Sequence, residues 1–224
     1  MSFIIGIDGP AGSGKGTMTK ILAKKFNLIH IDTGITYRAL AKAVLDKNIK
    51  LEEKDKIIEL AKDITIDIVS GDNLDKVFLN GKEVTSDIRS KEVTAIVSQV
   101  SSIKEVRLIM VELQRKMAEG KNVIMEGRDI CTYVFPNADI KIYLKASLEE
   151  RARRRYEENK EKGINTSYEE VLENIKLRDE NDMNKEIGSL KVAEDSIVID
   201  TTGLEIEQSV GKLSKIIEDK INNK

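Results

Sequence analysis

Residues 3–17 read FIIGIDGPAGSGKGT. The apolar run Phe3-Ile4-Ile5-Gly6-Ile7 closes at Asp8. Gly9, Gly12, Gly14, Lys15, Gly16 and Thr17 follow, and a helical pattern then starts with Met18, Ile21, Leu22 and Phe26. Gly9 to Lys15 has the spacing G-x-x-x-x-G-K of a P-loop, in the context that motif requires: strand, glycine turn, helix. Glycines let the backbone wind tightly and turn its N–H groups inward. The helix that follows adds the positive end of its dipole, so the stretch is a cradle for phosphate oxygens. Lys15 can reach the outer phosphates, and Thr17 can approach a Mg²⁺ ion. One place departs from the plain motif: Gly16 stands where Ser or Thr usually follows the lysine, and the hydroxyl comes one residue later. The plainer reading, a glycine-rich turn with a surface lysine, loses because spacing, strand and helix all agree.

The bulk numbers bound the rest. A chain of 224 residues buries a real core and suits one domain with inserted subdomains, or two small ones. Its net charge of −2 gives no global attraction to nucleic acid or an anionic membrane, so anions must be held by local basic clusters. Cys131 is the one cysteine, which excludes an intrachain disulfide and suits a reducing compartment. No apolar run approaches the roughly 20 residues of a membrane span. The N-terminus enters a strand at once, with no signal-peptide pattern. A cytoplasmic protein is expected.

Outward from the loop, the first helix is predicted over about 14–26, and Leu28 to Asp32 reads as a short strand. His30, the single histidine, has no second His or Cys nearby and reads as structural. Asp32-Thr33-Gly34-Ile35-Thr36-Tyr37-Arg38 follows that strand, with a helix from about Thr36 to Asp46. Arg38 lies one turn in, where it can grip a phosphate with two parallel bonds. Residues 64–69 alternate apolar and polar, as a half-exposed strand does. Val77 to Val84 reads as a hairpin turning at Asn80-Gly81, the favoured pair for a type I′ turn. Antiparallel β here is an insertion in an α/β chain.

From Thr94 the helical pattern returns, with a stripe at Val106, Ile109, Met110, Leu113 and Met117. Arg107 is off the stripe and available to a cleft, with Ser98 just upstream. Strands follow at Asn122–Glu126, Ile140–Leu144 and Ser196–Asp200, the first ending at Gly127-Arg128-Asp129. With the first two, that makes about five core strands separated by helices, a parallel sheet with right-handed crossovers. An amphipathic helix over about 206–221 closes the chain. Residues 149–185 are the most charged section. Arg151, Arg154 and Arg155 share a helix face, and a second helix carries Arg178, Asp179, Asp182 and Lys185. Alone, this is a solvated, salt-bridged hairpin. Beside a P-loop it reads as a lid whose arginines close over phosphates.

These arginines exceed what one triphosphate needs, so a second phosphorylated substrate is expected. Transfer between two phosphates requires in-line positioning, Mg²⁺, arginines and exclusion of water, but no general base. The guanine motif Asn-Lys-x-Asp of GTPase switches is absent from the sequence.

The stretches IDGPAGSGKGT (7–17), DTGITYR (32–38), SQVS (98–101), Val106-Arg107, EGRDICTYVFP (126–136), IKIYLKAS (140–147), ERARRR (150–155) and IKLRDENDMN (175–184) resemble the bacterial cytidylate kinases, over nearly the whole chain. The resemblance implies an α/β P-loop kinase with three parts: a core domain (1–38, 94–148, 186–224), an antiparallel-β-containing insert for the monophosphate (39–93) and a helical lid (149–185). It implies γ-phosphoryl transfer from ATP to CMP or dCMP with Mg²⁺, by a monomer that binds neither nucleic acid nor membrane. ATP would be held by Gly9, Pro10, Ala11, Gly12, Ser13, Gly14, Lys15, Gly16 and Thr17, with Arg151, Arg154 and Arg155 from the lid. CMP would be held by Thr33, Arg38, Ser98, Arg107, Arg128, Asp129, Arg178, Asp182 and Lys185. Among these, Arg38 and Arg128 grip the phosphate, Ser98, Arg107 and Asp129 read the cytosine edge, and Arg178 and Asp182 hold the sugar. Lys15, Arg128, Arg154 and Arg178 would act on the transferring group, and Thr17 is the candidate Mg²⁺ ligand. Glu126, Cys131, Ala11 and Lys185 depart from common family residues. Lys185 replaces a frequent arginine and loses its two-pronged geometry. Two alternatives remain at this point: the same fold with another acceptor, and a P-loop regulatory protein that is not a kinase.

Overall fold

The computed structural model describes residues 2–69, 71 and 75–222. The elements in chain order are β1 (Ile4–Asp8), α1 (Lys15–Phe26), β2 (Ile29–Asp32), α2 (Thr33–Asp46), α3 (Lys54–Asp63), β3 (Ile66–Val69), β4 (Lys76–Leu79), β5 (Lys82–Glu83), α4 (Lys91–Val100), α5 (Lys104–Ala118), β6 (Val123–Gly127), β7 (Ile140–Lys145), α6 (Leu148–Glu161), α7 (Tyr168–Met183), β8 (Ile197–Asp200) and α8 (Ile206–Asn222). They group into two compact units, residues 1–31 with 120–224, and residues 32–119.

The first unit carries a five-stranded sheet in the order β2-β6-β1-β7-β8. β1 runs parallel to β6 on one side and to β7 on the other, and β8 runs parallel to β7. Strands covered on both faces read as continuous apolar runs, which is why Phe3 to Ile7 and Val123 to Met125 show no alternation. Ile5, Ile7, Ile124, Ile142 and Leu144 from the strands pack with Leu22 of α1 and with Leu213 and Ile217 of α8. Each such side chain contributes about 1.5–3 kcal/mol by leaving water. Asp8 is in register with Gly127, so the strand leading into the P-loop and the strand leading into Gly127-Arg128-Asp129 end side by side. Ligands of open α/β sheets sit at such carboxyl ends, where the chain order reverses. The α6–α7 hairpin has a small core of its own, Ala152, Val171 and Ile175. Tyr156 meets Tyr168 edge-on, with ring centroids 6.2 Å apart. Helix α7 starts with a full capping box between Ser167 and Glu170.

The second unit packs α2 to α5 around Leu40, Val44, Ile57, Ile88, Val93, Val100, Val106 and Met110. It includes a three-stranded antiparallel sheet, β3-β4-β5. Asn80 and Gly81 have φ of 50° and 77°, the left-handed pair that the hairpin reading required. Residues 94–119, expected with the core domain, here share the second unit's apolar core, because α4 and α5 turn their stripes toward α2 and α3. Helix α2 begins at Thr33, three residues before the expected start. The Asp32 carboxylate accepts from the Gly34 amide at 2.8 Å and so caps the extra turn. No helix among the described residues is long and apolar enough to cross a membrane.

Candidate active site

In the first unit, Lys15 is 6% exposed and closes the glycine loop on itself. Its Nζ donates to the carbonyls of Gly9 (2.7 Å) and Pro10 (2.8 Å) and to Ser13 Oγ (3.3 Å). The loop crosses β7 so closely that a Cβ at Gly9 would lie 2.2 Å from the Leu144 carbonyl oxygen, so only glycine fits there. Burial pushes the Lys15 pKa down to about 7, and the charges of Arg128 and Arg178 push the same way, while Glu126 and Asp8 oppose them. Three cations therefore converge at the loop, and an anion there would relieve their repulsion.

Arg128 stands directly after β6. Its Nε donates to Asp182 Oδ2 at 2.8 Å, and Lys185 Nζ meets Asp182 Oδ1 at 2.7 Å. Burial pushes the Asp182 carboxyl up, but Arg128 and Lys185 outweigh it and hold it well below the usual carboxylate range. The structure thus brings four expected residues into one ion-pair cluster: Arg128, Asp182 and Lys185 by contact, and Arg178 by its field on Asp182. Asp129 is buried beside them in sequence, at the head of a single π turn over Ile130–Val134.

The lid arginines separate. Arg154 Nη2 donates to the Thr201 carbonyl at 2.6 Å, and its Nη1 would lie 3.8 Å from a Cβ at Gly14, so it borders the loop. Arg155 is exposed and held by Glu158 on its own helix. Arg151, expected as a phosphate contact, is buried in an ion pair with Asp179, and its Nη1 also donates to the Ala11 carbonyl at 2.9 Å. Thr17 is exposed near the start of α1. Among the described residues no group of three or more His, Cys, Asp or Glu can hold a metal ion.

Three carboxylates around the loop, Asp8, Glu126 and Asp179, were not singled out as site residues. Asp8 Oδ1 and Oδ2 accept from the amides of Ile130 and Cys131, both at 2.8 Å, pinning the turn that carries Arg128 and Asp129. Glu126 Oε1 lies 2.9 Å from His30 Nε2 and 3.0 Å from Thr19 Oγ1. Burial pushes Glu126 up, but His30, Lys15 and Thr19 outweigh it and hold its carboxyl below the usual range. The available signal was a polar residue closing an apolar strand, at Asp8 and Glu126. The third, Asp179, had only its helical spacing. Cys131 is 2% exposed with its thiol pushed up by burial, so it packs as a small apolar side chain.

In the second unit, Arg38 Nη1 donates to the Ile88 carbonyl (3.1 Å) and to Thr94 Oγ1 (3.0 Å). Arg107, expected to face a cleft, is 2% exposed. Its Nη1 donates to the Ser101 carbonyl at 3.2 Å and its guanidinium lies 5.3 Å over the Tyr37 ring. Thr33 is buried in the first turn of α2. Ser98 Oγ is a buried hydroxyl without a partner among the described residues. Such an atom is costly unless a ligand or water satisfies it.

The family model for cytidylate kinase matches residues 5–219. The chain is 51% identical over 221 residues to the cytidylate kinase of Caldicellulosiruptor saccharolyticus, covering 98% of this chain and 97% of that one. It is 45% identical to the cytidylate kinase of Bacillus subtilis, covering 96% of each. A crystal structure of an uncharacterized protein from Eubacterium ventriosum superimposes with a TM-score of 0.55 at 14% identity, over 97% of this chain and 99% of that one, which is a likeness of fold.

Proposed function

The chain belongs to the cytidylate kinase family, and we propose on that premise that it transfers the γ-phosphoryl group of ATP to CMP or dCMP, giving ADP and CDP or dCDP. The observation that carries the chemistry is the convergence of Lys15, Arg128 and Arg178 at the loop: burial is the main cause of the lowered Lys15 pKa, and the charges of the two arginines add to it. An oxygen of the acceptor phosphate attacks the γ-phosphorus, the bond to the β–γ bridging oxygen breaks, and ADP leaves. Most of that acceptor is a dianion at neutral pH, since a phosphate monoester has its second pKa near about 6. No side chain needs to remove a proton. The protein's work is to align the two phosphates and to oppose charge on the moving group.

We assign Gly9 to Thr17, with Arg154 and Arg155, to ATP. Lys15, Arg128, Arg154 and Arg178 face the transferring group. In the second unit Thr33, Arg38, Ser98 and Arg107 are assigned to CMP, and in the first unit Arg128, Asp129, Arg178, Asp182 and Lys185. The unpartnered Ser98 hydroxyl supports a polar base edge as its ligand. Residues 39–93 act as the monophosphate insert and 149–185 as the lid. A bound Mg²⁺ would keep several waters and take substrate phosphate oxygens, with the exposed Thr17 hydroxyl as its candidate protein contact. When bound, the ion neutralises phosphate charge. The protein acts as a cytoplasmic monomer.

The test is ADP release from ATP–Mg²⁺ with CMP, dCMP, UMP, AMP or GMP offered singly, beside a control without acceptor. Turnover confined to CMP and dCMP is expected. Turnover with AMP or GMP instead overturns the base-reading assignment, and slow release indifferent to acceptor overturns the kinase reading.

A further inference from the structure

Arg151 and Asp179 bond both backbone polar groups of one residue of the phosphate loop, Ala11. Asp179 Oδ1 accepts from the Ala11 amide at 3.2 Å, and Arg151 Nη1 donates to the Ala11 carbonyl at 2.9 Å. The same Nη1 pairs with Asp179 Oδ2. Arg151 Nε donates to the Ala146 carbonyl at 3.1 Å, which fastens the arginine to the turn between β7 and α6. Both residues are 7% exposed. The next loop residue is held sterically: a Cβ at Gly12 would lie 3.1 Å from both the Cβ and the carbonyl oxygen of Arg151.

Ala11 is itself buried, so its amide and carbonyl both need protein partners. A carboxylate supplies the acceptor, a guanidinium supplies the donor, and each cancels the other's charge. The consequence separates Arg151 from the other arginines of the hairpin. Its charge is matched by Asp179 and its Nη1 is committed to the loop. Asp179 also follows Arg178 directly on α7, so the clamp ties the backbone that presents Arg178 to the loop that holds Lys15.

We propose that Arg151 and Asp179 are positioning residues: they clamp Ala11 by its N–H and its C=O and keep the phosphate loop in its nucleotide-accepting shape, anchoring the α6–α7 hairpin to it. The proposal rests on the nucleotide-binding reading of the loop, but its first readout does not.

Amide hydrogen exchange is measured on the full chain, wild type beside Asp179→Ala, Asp179→Asn, Arg151→Met and Arg151→Lys. The Ala11 amide is compared with the strand amides of Ile5 and Ile124. Loss of one hydrogen bond predicts exchange of Ala11 faster by about tenfold in Asp179→Ala, with the strand amides within about twofold. The dissociation constant for ATP without acceptor is expected to rise about fivefold or more in Asp179→Ala and Arg151→Met. A clearly smaller rise is expected in Asp179→Asn, which keeps an acceptor for Ala11, and in Arg151→Lys, which keeps the charge. An Ala11 amide as protected in Asp179→Ala as in wild type overturns the clamp. So does a uniform speeding of all three amides with unchanged ATP affinity, the result of a merely stabilising pair. Should the alanine and methionine variants fail to fold, Asn and Lys carry the same two readouts. If wild type fails to bind ATP, the nucleotide reading falls, and the Ala11 exchange result still decides the clamp.

Discussion

Arg128 Nε donates to Asp182 Oδ2 at 2.8 Å, so the turn that ends β6 and the last turns of α7 are held by one ion pair. Asp182 is buried and also takes Lys185. Removing it leaves two cations without their carboxylate. Asp182→Ala is expected to cost about 2–4 kcal/mol by urea denaturation, because breaking a buried pair strands a desolvated charge. The KM for CMP rises with it, by about tenfold or more if the sugar contact is also lost. Asp182→Asn costs less in stability. An unchanged denaturation midpoint for Asp182→Ala would show the pair to be energetically idle.

Lys15 makes a signature in protons. Its pKa near 7 in the ligand-free protein means that most of it is neutral at pH 8. A triphosphate restores the charged form, so ATP binding at pH 8 takes up nearly one proton. Calorimetry in buffers of different ionisation enthalpy reads this directly, and Lys15→Met abolishes it. The sign for stability follows from the same shift. The folded value lies below the ordinary lysine value of 10.5, so the cost of burying the charge is full below pH 7 and fades as pH rises to about 10.5. Wild type therefore gains stability on Lys15→Met across that window. Equal proton uptake by both proteins would assign the proton to another group.

Asp8 is held at a pKa of about 6: burial pushes it up, the Cys131 and Ile130 amides pull it down, and Asp129 adds to the rise. A raised carboxyl favours the folded state at low pH. That contribution is full below about pH 4 and is lost as pH climbs through 6. Asp8→Asn removes this slope and leaves one of two amides without an acceptor, at a cost of about 1–3 kcal/mol. It also loosens the turn bearing Arg128 and Asp129, so the CMP KM rises more than the ATP KM. Denaturation at pH 4, 5, 6 and 7 for both proteins measures the slope, and parallel curves would remove Asp8 as its source.

Cys131 is expected to be inert. Burial and the nearby Asp8 charge keep its thiol protonated. A disulfide reagent at pH 8 labels the native protein slower than the urea-unfolded chain by about 100-fold or more, since only the thiolate reacts. Prompt labelling of native protein, with activity lost in step, would place the sulfur in a reachable part of the site.

Much of the architecture was readable along the chain because its signals are local. The glycine spacing after an apolar strand announces the phosphate loop, Asn80-Gly81 announces the hairpin, and unbroken apolar runs announce strands covered on both faces. The start of α2 was misplaced because an N-cap works through a side chain that bonds the backbone, and Asp32 followed a strand without a break. The site was legible in its arginines and not in their partners. Arg151, Arg154 and Arg155 share a helix face in sequence, yet one is buried against Asp179, one reaches Thr201, and one stays on the surface with Glu158. Arg107 was legible from its place off the stripe, while its packing over Tyr37 was not.

By itself the sequence determined the kind of fold, the phosphate loop and the cation-rich chemistry around it, since spacing and periodicity act over a few residues and survive without knowledge of neighbours. Which charges remain for a ligand was decided only by the tertiary structure. Asp8, Glu126 and Asp179 meet their donors across 122, 96 and 168 residues of chain, at Ile130, His30 and Ala11. A charge is neutralised or left available by what lies within a few ångströms in space, and no local pattern encodes that distance.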